Sequence, residues 1–374
     1  MKTKKLSEIS DIQYGYAFDS HYFTNDNKYP QLVRIRDIKR GFSETYYLGK
    51  YDEDYVVHYG DLLIGMDGNF NISRWKSEDA LLNQRVCKIA AKQDIIDEEY
   101  LQCALSRRLK HIEEKTAFVT VKHLSAKTLS NLKLEVPSQV EQIKIAQIIS
   151  KISKAINTKK DELRKLDELI KARFVEMFGD PVLNPNNYEL IKLSDLGALN
   201  RGKSKHRPRN DPKLLGGPYP LIQTGDITNS DIFIRKYNST YSKFGLEQSK
   251  MWPEGTFCIT IAANIAQTAI LSFNACFPDS VVGFIPNSDR ITTIYLHYWF
   301  SFYQKILDTQ ASQVAQKNIN LKVLSNLDIA VPPKAEQDNF LSFVQQVDKS
   351  KVAVQKSLEE TQTLFDSLMQ KYFS

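Results

Sequence analysis

The residues with the clearest chemical potential form a cluster of cations between Arg201 and Arg209. Five basic side chains fall within nine positions, those of Arg201, Lys203, Lys205, Arg207 and Arg209. Cations at this density neutralise phosphates and gain free energy by releasing counterions. A glycine and a proline inside the cluster predict an irregular loop, which is free to follow a phosphate backbone. We interpret the cluster as a phosphate-binding loop; the alternative is an ordinary solvated surface loop.

A second pair of cations lies in an apolar stretch near the N-terminus. Arg34 and Arg36 alternate with an apolar residue in a strand predicted over Gln31–Ile38, so both side chains face the same side. Arginine can bond guanine through two parallel hydrogen bonds. An ion pair on the sheet surface is an equally good interpretation. The corresponding position later in the chain holds Gln223 and Thr224, which are polar but uncharged.

Amide side chains follow a second predicted strand. Asn69 and Arg74 come after the strand Asp61–Gly65, in what we expect to be a loop, and Asn264 and Gln267 occupy the equivalent stretch later in the chain. Asparagine and glutamine suit the edge of adenine. They also suit caps and turns, so a structural role is the stronger alternative at each position.

A third set lies just ahead of a repeated motif described below. Lys122 and Lys317 align at an offset of 195 residues, and Asn318 follows the second of them. Phosphate contact is one interpretation of this pair. A cation that simply complements the end of a helix is the other.

Motifs for catalysis are missing from the sequence. The nearest strings to the Asn/Asp-Pro-Pro-Tyr/Phe motif of adenine methylation, at 184–188 and 331–334, do not fit it. No glycine-rich cofactor loop or phosphate loop follows a predicted strand, since Gly202-Lys203-Ser204 lacks the upstream glycine. The six histidines are scattered, and the four cysteines form no CxxC pair. We therefore predict no catalytic residue, no metal site and no cofactor within this chain.

Composition describes an ordinary globular protein of two or three domains. The chain has 374 residues, of which 42% are hydrophobic and 25% charged. No apolar run reaches the length of a membrane span, and no hydrophobic signal core follows the first residues, so we expect a cytoplasmic protein. The net charge of +6 permits a polyanionic partner without requiring one.

Two globular segments present these candidate residues. In the first, strands are predicted at Gln31–Ile38, Asp61–Gly65 and Arg85–Ala90, and a helix at Glu98–Glu114. The second repeats this plan with different polar residues between the shared framework positions. We predict an N-terminal domain over 1–136, a first helix over 137–179, a second domain over 180–331 that begins with a linker at 180–187, and a second helix over 332–374.

A repeated motif introduces each of the two long helices. Eight of the fourteen positions of 129–142 recur in 324–337, at an offset of 195 residues. After each copy, apolar residues recur at steps of three and four, the period of a coiled coil. Polar residues interrupt both seams, at Lys159 and Arg173 in the first and at Lys351 and Thr361 in the second. The chain is therefore a duplicated unit of one domain and one helix.

The length of the joint restricts how the helices can be arranged. A helix of about 38 residues is roughly 57 Å long, whereas the nine residues 179–187 reach at most about 30 Å. The second domain must therefore begin near the far end of the first helix. We predict mixed α/β architecture: two globular domains joined by two long antiparallel coiled-coil helices, related by an internal pseudo-twofold repeat.

Together, these features resemble the specificity subunits of type I restriction–modification systems. The resemblance rests on 129–142 and its copy, the two heptad helices, the joint Met177–Pro185, and the paired framework positions, and it covers essentially the whole chain. It implies that the globular parts are target-recognition domains, each reading one half of a split DNA site. It also implies that the helices are spacers that dock two methyltransferase subunits.

The resemblance further implies a chain without a catalytic site. S-adenosylmethionine would be bound by the partner methyltransferase, and a restriction and translocation subunit would be able to join the complex. Double-stranded DNA is then the ligand of the candidate residues named above. Two alternatives remain: a self-contained DNA methyltransferase or nuclease, which would bind the cofactor or cut DNA alone, and a coiled-coil scaffold, which would not bind DNA in a salt-dependent manner.

Overall fold

The computed structural model of the chain describes residues 2–115, 122–262, 265–311 and 319–373. It has the predicted mixed α/β architecture with two long helices and divides into two compact units. The N-terminal unit comprises Met1–Asp161 and Gln355–Ser374, and the C-terminal unit comprises Glu162–Val354. Each unit combines one globular segment with part of each long helix. None of the described helices is long and apolar enough to cross a bilayer.

Eleven strands and four short or medium helices make up the globular part of the N-terminal unit, in the portion that the structure describes. The strands are β1 Lys2–Lys5, β2 Ser10–Tyr14, β3 Phe23–Thr24, β4 Gln31–Val33, β5 Tyr46–Tyr47, β6 Val56–Val57, β7 Leu62–Gly65, β8 Ile72–Arg74, β9 Ala80–Leu82, β10 Val86–Ala91 and β11 Lys133–Val136. The helices are α1 Leu6–Ile9, α2 Ile35–Arg40, α3 Glu98–Lys115 and α4 Ala126–Ser130, and α5 Gln139–Phe178 follows as the first long helix.

The described part of the C-terminal unit has a similar but not identical order of elements. Its strands are β12 Glu189–Lys192, β13 Gly197–Arg201, β14 Leu215–Leu221, β15 Phe233–Ile234, β16 Ser239–Tyr241, β17 Met251–Trp252, β18 Phe257–Thr260, β19 Thr268–Leu271, β20 Ala275–Cys276, β21 Val281–Pro286 and β22 Asp328–Val331. Its helices are α6 Thr224–Thr228, α7 Lys243–Glu247, α8 Thr293–Ala311 and α9 Leu321–Ser325, and α10 Lys334–Phe373 is the second long helix.

The sheets of the two units share most of their strand order. An antiparallel sheet runs β2-β10-β7-β8 in the N-terminal unit and β13-β21-β18-β19 in the C-terminal unit, where β15 extends it. In both units a second sheet contains a parallel pair, β4 with β9 and β14 with β20. A two-stranded ribbon, β1 with β11 or β12 with β22, joins the start of each globular segment to its end. The duplication predicted from the sequence is therefore present in the strand order itself.

The predicted elements of the first segment agree with the structure except at one place. The helix predicted at Glu98–Glu114 is α3, and the strands predicted at Asp61–Gly65 and Arg85–Ala90 are β7 and β10. The strand predicted over Gln31–Ile38 is wrong beyond Val33, because the chain turns there into helix α2.

The two long helices run antiparallel within each unit. In the N-terminal unit, Lys159 of α5 donates to the hydroxyls of Ser357 and Thr361 of α10, at 2.7 and 2.8 Å. In the C-terminal unit, the rings of Phe178 and Phe340 lie 5.6 Å apart. Lys351 of α10 also donates to Asp167 of α5 in the C-terminal unit. Ile149 and Met369 share one core in the N-terminal unit, so in both units residue numbers that rise along α5 meet numbers that fall along α10. The polar seam residue Lys159 is satisfied by hydroxyls, as burial of an ammonium group requires.

The repeated Glu-Gln of the motif has a structural reason. The fully buried amide of Gln142 accepts from the backbone N–H of Asp97 at 2.7 Å and donates to the carbonyls of Ile95 and Pro137. Gln337 makes the same three bonds, to Thr292, Arg290 and Pro332. Each glutamine thereby fastens the first turn of a long helix to the chain entering α3 or α8.

Candidate nucleic-acid interface

The candidate contact residues Arg34 and Gln223 occupy the same place in the two units. Each is the N-cap of a short helix that follows a strand, α2 after β4 and α6 after β14. Three residues later an aspartate accepts the N-cap backbone N–H, Asp37 at 3.1 Å and Asp226 at 2.8 Å. The local signal is an acidic residue at the third helical position, which completes the cap.

This cap separates Arg34 from Arg36, so the prediction that both face one side of a strand is wrong. Arg34 is partly buried and donates to the hydroxyl of Thr45, whereas Arg36 is exposed on α2. Buried Asp37 lies beneath them and also accepts from Ser43 at 3.1 Å. Burial raises the pKa of Asp37, while the Ser43 hydroxyl and the neighbouring arginines act in the opposite direction. Of the two arginines, Arg36 is therefore the one available to a ligand.

Asp279 organises the basic loop of the C-terminal unit. Its carboxylate pairs with Arg209 at 2.5 Å and with Arg207 at 3.7 Å, and its backbone carbonyl accepts from Arg201. Lys203 and Lys205 point their exposed ammonium groups into solvent, with no partner among the described residues. One carboxylate thus fixes the loop while leaving it strongly cationic, as a phosphate-binding surface requires.

The structure brings this loop together with Gln223 and Thr224. Arg209, Gln223 and Thr224 line one cleft of about 380 Å³, with Tyr241 and Ser280 among its other walls. Two groups of residues that lie apart in the sequence therefore converge. The cleft combines a guanidinium group with primary amides and hydroxyls, which suits the edges of bases.

The same position in the N-terminal unit carries aromatic residues, which sequence reasoning missed. The loop after β2 begins at Gly15, as the basic loop after β13 begins at Gly202; their backbone N–H groups donate to the carbonyls of Val86 and Val281. A Cβ at either glycine would lie 2.0–2.3 Å from a carbonyl oxygen, so both must be glycine. These paired glycines are the signal that would have aligned the loops.

Beyond Gly15 the chain presents tyrosines instead of cations. Tyr16 is 52% exposed, and its ring packs 5.2 Å from that of Tyr55. Both line a cleft of about 690 Å³, with Tyr51 and Lys50. Tyrosine faces can stack on unpaired bases or pack against sugars, so this loop offers a different chemistry at the equivalent place.

Arg74 is bonded to residues of its own domain and is not a free surface residue. It is the last residue of β8, not a loop residue as predicted. Its guanidinium donates to the carbonyl of Gly60 and pairs with Glu98 at 3.3 Å and Glu99 at 2.7 Å. Arg74 therefore joins the edge of the sheet to the first turn of α3.

Lys122 also has an internal partner, and it lines a cleft that holds lysines together with Glu113 and Glu114. Its ammonium donates to the carbonyl of Glu113 at 3.0 Å and lies 3.9 Å from the carboxylate of the same residue. With Lys39 of α2 and Lys110 of α3 it lines a cleft of about 610 Å³. Asn69 is exposed in the turn next to this cleft.

The remaining candidates of the C-terminal unit are only partly described. Gln267 is half-buried just before β19, and its backbone hydrogen-bonds with Thr260. This contact is structural and leaves the amide side chain available. Asn264, Lys317 and Asn318 lie outside the described residues.

The cysteines offer no nucleophile or metal site. Cys87, Cys258 and Cys276 are buried and unpaired, and Cys103 is half-buried. Burial raises the pKa of the Cys87 and Cys103 thiols to about 12, which keeps them protonated at neutral pH. Among the described residues, no group of three His, Cys, Asp or Glu side chains could hold a metal ion.

Comparisons with known proteins place this geometry in context. The family described as type I restriction modification DNA specificity domain matches the chain twice, at residues 1–168 and 185–361. The type I restriction enzyme EcoBI specificity subunit of Escherichia coli is 29% identical over 98% of this chain and 84% of its own length. The MjaVIII specificity subunit of Methanocaldococcus jannaschii is 23% identical over 79% of this chain and 74% of its own length.

Solved structures share the fold. The S subunit of a type I restriction–modification system from M. genitalium superposes with a TM-score of 0.63 at 13% identity, covering 100% of this chain and 96% of its own. A chain from a structural study of complex assembly in a type I R-M system gives a TM-score of 0.54 at 16% identity, covering 100% of this chain and 97% of its own.

Proposed function

This chain belongs to the type I restriction modification DNA specificity family as a non-catalytic specificity subunit, and on that premise we propose how it divides its work. Each globular segment reads one half of a bipartite DNA site. The paired helices fix the spacing of the halves and dock two methyltransferase subunits. The single observation that carries this proposal is the duplicated domain whose framework repeats while its candidate contact residues differ.

The difference between equivalent positions supports two distinct half-sites. Where one unit presents Arg36 of α2 and an aromatic loop at Tyr16, the other presents Gln223 and five cations between Arg201 and Arg209. Hydrogen bonds from individual side chains distinguish bases, whereas the shared sheets only position them. Two copies with one framework and different polar residues are what a reader of an asymmetric site requires.

We assign the contacts by their exposure and charge. Lys203 and Lys205 bind phosphates of the second half-site, and Gln223 and Thr224 bind base edges in the cleft beside them. In the N-terminal unit, Arg36 of α2, Asn69 and the Lys39–Lys110–Lys122 cleft face the first half-site. Arg74 has a structural role in this assignment, because both of its carboxylate partners lie within the same domain.

Catalysis belongs to the partners. The methyltransferase subunits bind S-adenosylmethionine and methylate adenine, and restriction subunits join the assembly to cut DNA. The sequence contains no methyltransferase motif, which supports this division of labour. A rigid helix pair between two readers makes the half-site spacing a dimension of the protein.

Methylome sequencing tests the proposal. Cells with the cognate methyltransferase and this chain should carry methylation at one bipartite motif, and cells without this chain should lose that motif only. An unchanged methylome would contradict the proposal. If the purified chain alone binds S-adenosylmethionine tightly or cuts DNA, the alternative of a self-contained enzyme replaces it.

A further inference from the structure

A short segment of the C-terminal recognition domain, residues 231–235, is tied to helix α10 by two ion pairs. We call it the anchor segment. At its first residue, the carboxylate of Asp231 accepts from the ammonium of Lys351. Lys351 lies in the helix seam, is 8% exposed, and donates also to Asp167 of α5. A buried cation between two carboxylates joins three elements of the C-terminal unit: α5, α10 and the recognition domain.

The second ion pair lies at the other end of the anchor segment. Arg235 pairs with Asp348 of α10 at 2.5 Å, and the Asp348 side chain is only 15% exposed. The Arg235 guanidinium also lies over the ring of Phe233 at 5.0 Å, which holds it in place. Asp348 and Lys351 are three residues apart and share one face of the helix.

The signs of the charges in the two ion pairs allow only one position of the anchor segment along α10. A negative residue of the anchor segment meets a positive residue of α10, and a positive residue of the segment meets a negative one. A shift along α10 that brought Asp231 toward Asp348, or Arg235 toward Lys351, would place like charges together. Such an arrangement rejects neighbouring registers as well as stabilising the correct one.

The anchor segment is rigidly part of the recognition domain. Its strand β15 pairs in parallel with β19, Phe233 with Ile270 and Ile234 with Leu271. Ile232 and Ile234 are fully buried, in the two main cores of the unit. The orientation of the segment on α10 is therefore the orientation of the main sheet of the domain.

The positions of α5 that align with the two charged residues of α10 do not carry those charges. At the offset of 195 residues, Lys351 corresponds to Ile156 and Asp348 corresponds to Ser153. Neither side chain carries a charge, and Ile156 is buried in the seam. The fastening by a buried glutamine is common to both units, so the two ion pairs are an addition to one of them.

We propose that Asp231 and Arg235 are positioning residues that lock the C-terminal recognition domain on the helices and so set the spacer length that the chain accepts. This inference rests on the proposed function. One base pair of extra spacer rotates a half-site by about 35° around the duplex axis. The domain also shares a buried core with both helices, which contains Ile232, Phe174 of α5 and Phe340 of α10, so the two ion pairs do not hold it alone. They fix its position along α10, and a domain that lacks them tolerates a rotation that the locked domain rejects.

The test is the spacer distribution of methylated sites. The double variant Asp231→Asn/Arg235→Gln removes both pairs and leaves the contact between Lys351 and Asp167. Methylome sequencing of cells that carry this variant in the complete complex should show unchanged half-sites, with methylation at spacers one base pair longer or shorter raised at least tenfold. Unchanged spacer selection by a complex of wild-type thermal stability would overturn the inference.

Two further variants keep the result decisive. Lys159→Met removes a seam lysine that bonds Ser357 and Thr361 on α10, and it should keep wild-type spacing. If the double variant loses all methylation, the charge exchange Arg235→Asp/Asp348→Arg decides: recovery of activity at the wild-type spacer supports the lock, and relaxed spacing or no activity overturns it. Absence of any motif with the wild-type chain would instead count against the proposed function.

Discussion

The side-chain oxygen of Gln142 accepts a hydrogen bond from the backbone N–H of Asp97 at 2.7 Å, across 45 residues of sequence. Gln337 repeats the relationship with Thr292 at 2.9 Å. In both units a buried amide connects the start of a long helix to the start of the helix that packs beneath it. One side chain thus joins these two helix starts in each unit.

Replacement of this glutamine should destabilise its unit. In Gln142→Leu, the N–H of Asp97 and the carbonyls of Ile95 and Pro137 lose their partner, and each buried group left unpaired costs about 1–3 kcal/mol. We expect the free energy of unfolding of the N-terminal transition to fall by at least that amount in urea titrations. Gln139→Leu, at an exposed position three residues earlier, should change it by less than about 0.5 kcal/mol. Equal effects of the two variants would show that the buried hydrogen bonds of Gln142 do not stabilise the N-terminal unit.

Arg36 and Arg74 should separate binding from stability. Arg36→Gln removes an exposed cation of α2 and should weaken binding of target DNA with little change in unfolding free energy. Arg74→Gln breaks two partly exposed ion pairs and should cost about 1 kcal/mol of stability, with DNA affinity retained. Duplex binding by the assembled complex and thermal unfolding measure the two effects. Loss of affinity in Arg74→Gln without loss of stability would reverse the assignment.

The basic loop should determine the salt dependence of binding. Each phosphate contact contributes about 0.9 to the slope of log K against log salt, so Lys203→Gln/Lys205→Gln should reduce the slope by about 1.8. Affinity for all sequences should fall together, because phosphates carry no base identity. Lys192→Gln, an exposed lysine of the β12–β22 ribbon, is the control and should leave the slope unchanged. A changed motif with an unchanged slope would assign these lysines to base recognition instead.

His297 should make the C-terminal unit sensitive to mild acid. Desolvation lowers its pKa to about 4, with Lys171 and Lys351 acting in the same direction and Asp231 in the opposite one. The unfolded chain, with a histidine pKa near 6.5, therefore binds more protons between these values. The contribution of neutral His297 to the free energy of unfolding is fully present above about pH 6.5. It falls as the pH drops toward 4, by at most about 1.4 kcal/mol per pH unit.

The control is substitution of the same histidine. His297→Gln can keep a hydrogen bond with Thr268, whose hydroxyl lies 3.1 Å from the ring nitrogen. It should flatten the pH dependence of the unfolding midpoint between pH 4 and 6.5. His21→Gln, at an exposed position, should not. A wild-type slope in the His297→Gln variant would mean that other groups carry the acid sensitivity.

The features best predicted from the sequence are those that occur in both copies of the repeat, because a residue present in both copies is one that the shared fold requires. The motif at 129–142 and its copy recur because Gln142 and Gln337 make the same buried bonds. The polar seam residues Lys159 and Lys351 were predicted as interruptions, and both are satisfied by partners across the seam. Their partners were not predictable, since Asp231 lies 120 residues from Lys351.

The alternation of polar and apolar residues at 34–36 predicted a strand, but a helix cap forms there instead. Arg34, Ile35 and Arg36 alternate as a strand would, but Asp37 completes a cap and Gly41 ends the helix at a φ of 78°. The aromatic loop at Tyr16 was missed because the chain has 18 tyrosines and no motif distinguishes those of this loop. The DNA contacts remain predictions, since exposure and charge identify candidate residues but not the bases they meet.

Exchange of one recognition domain tests the central claim most directly. Residues 1–136 should be replaced by the corresponding segment of another family member with a different motif, and the methylome of cells that carry the hybrid complex should be sequenced. The account predicts a motif in which one half is new while the other half is unchanged. Alteration of both halves by this exchange would contradict the claim that each domain reads its half-site independently.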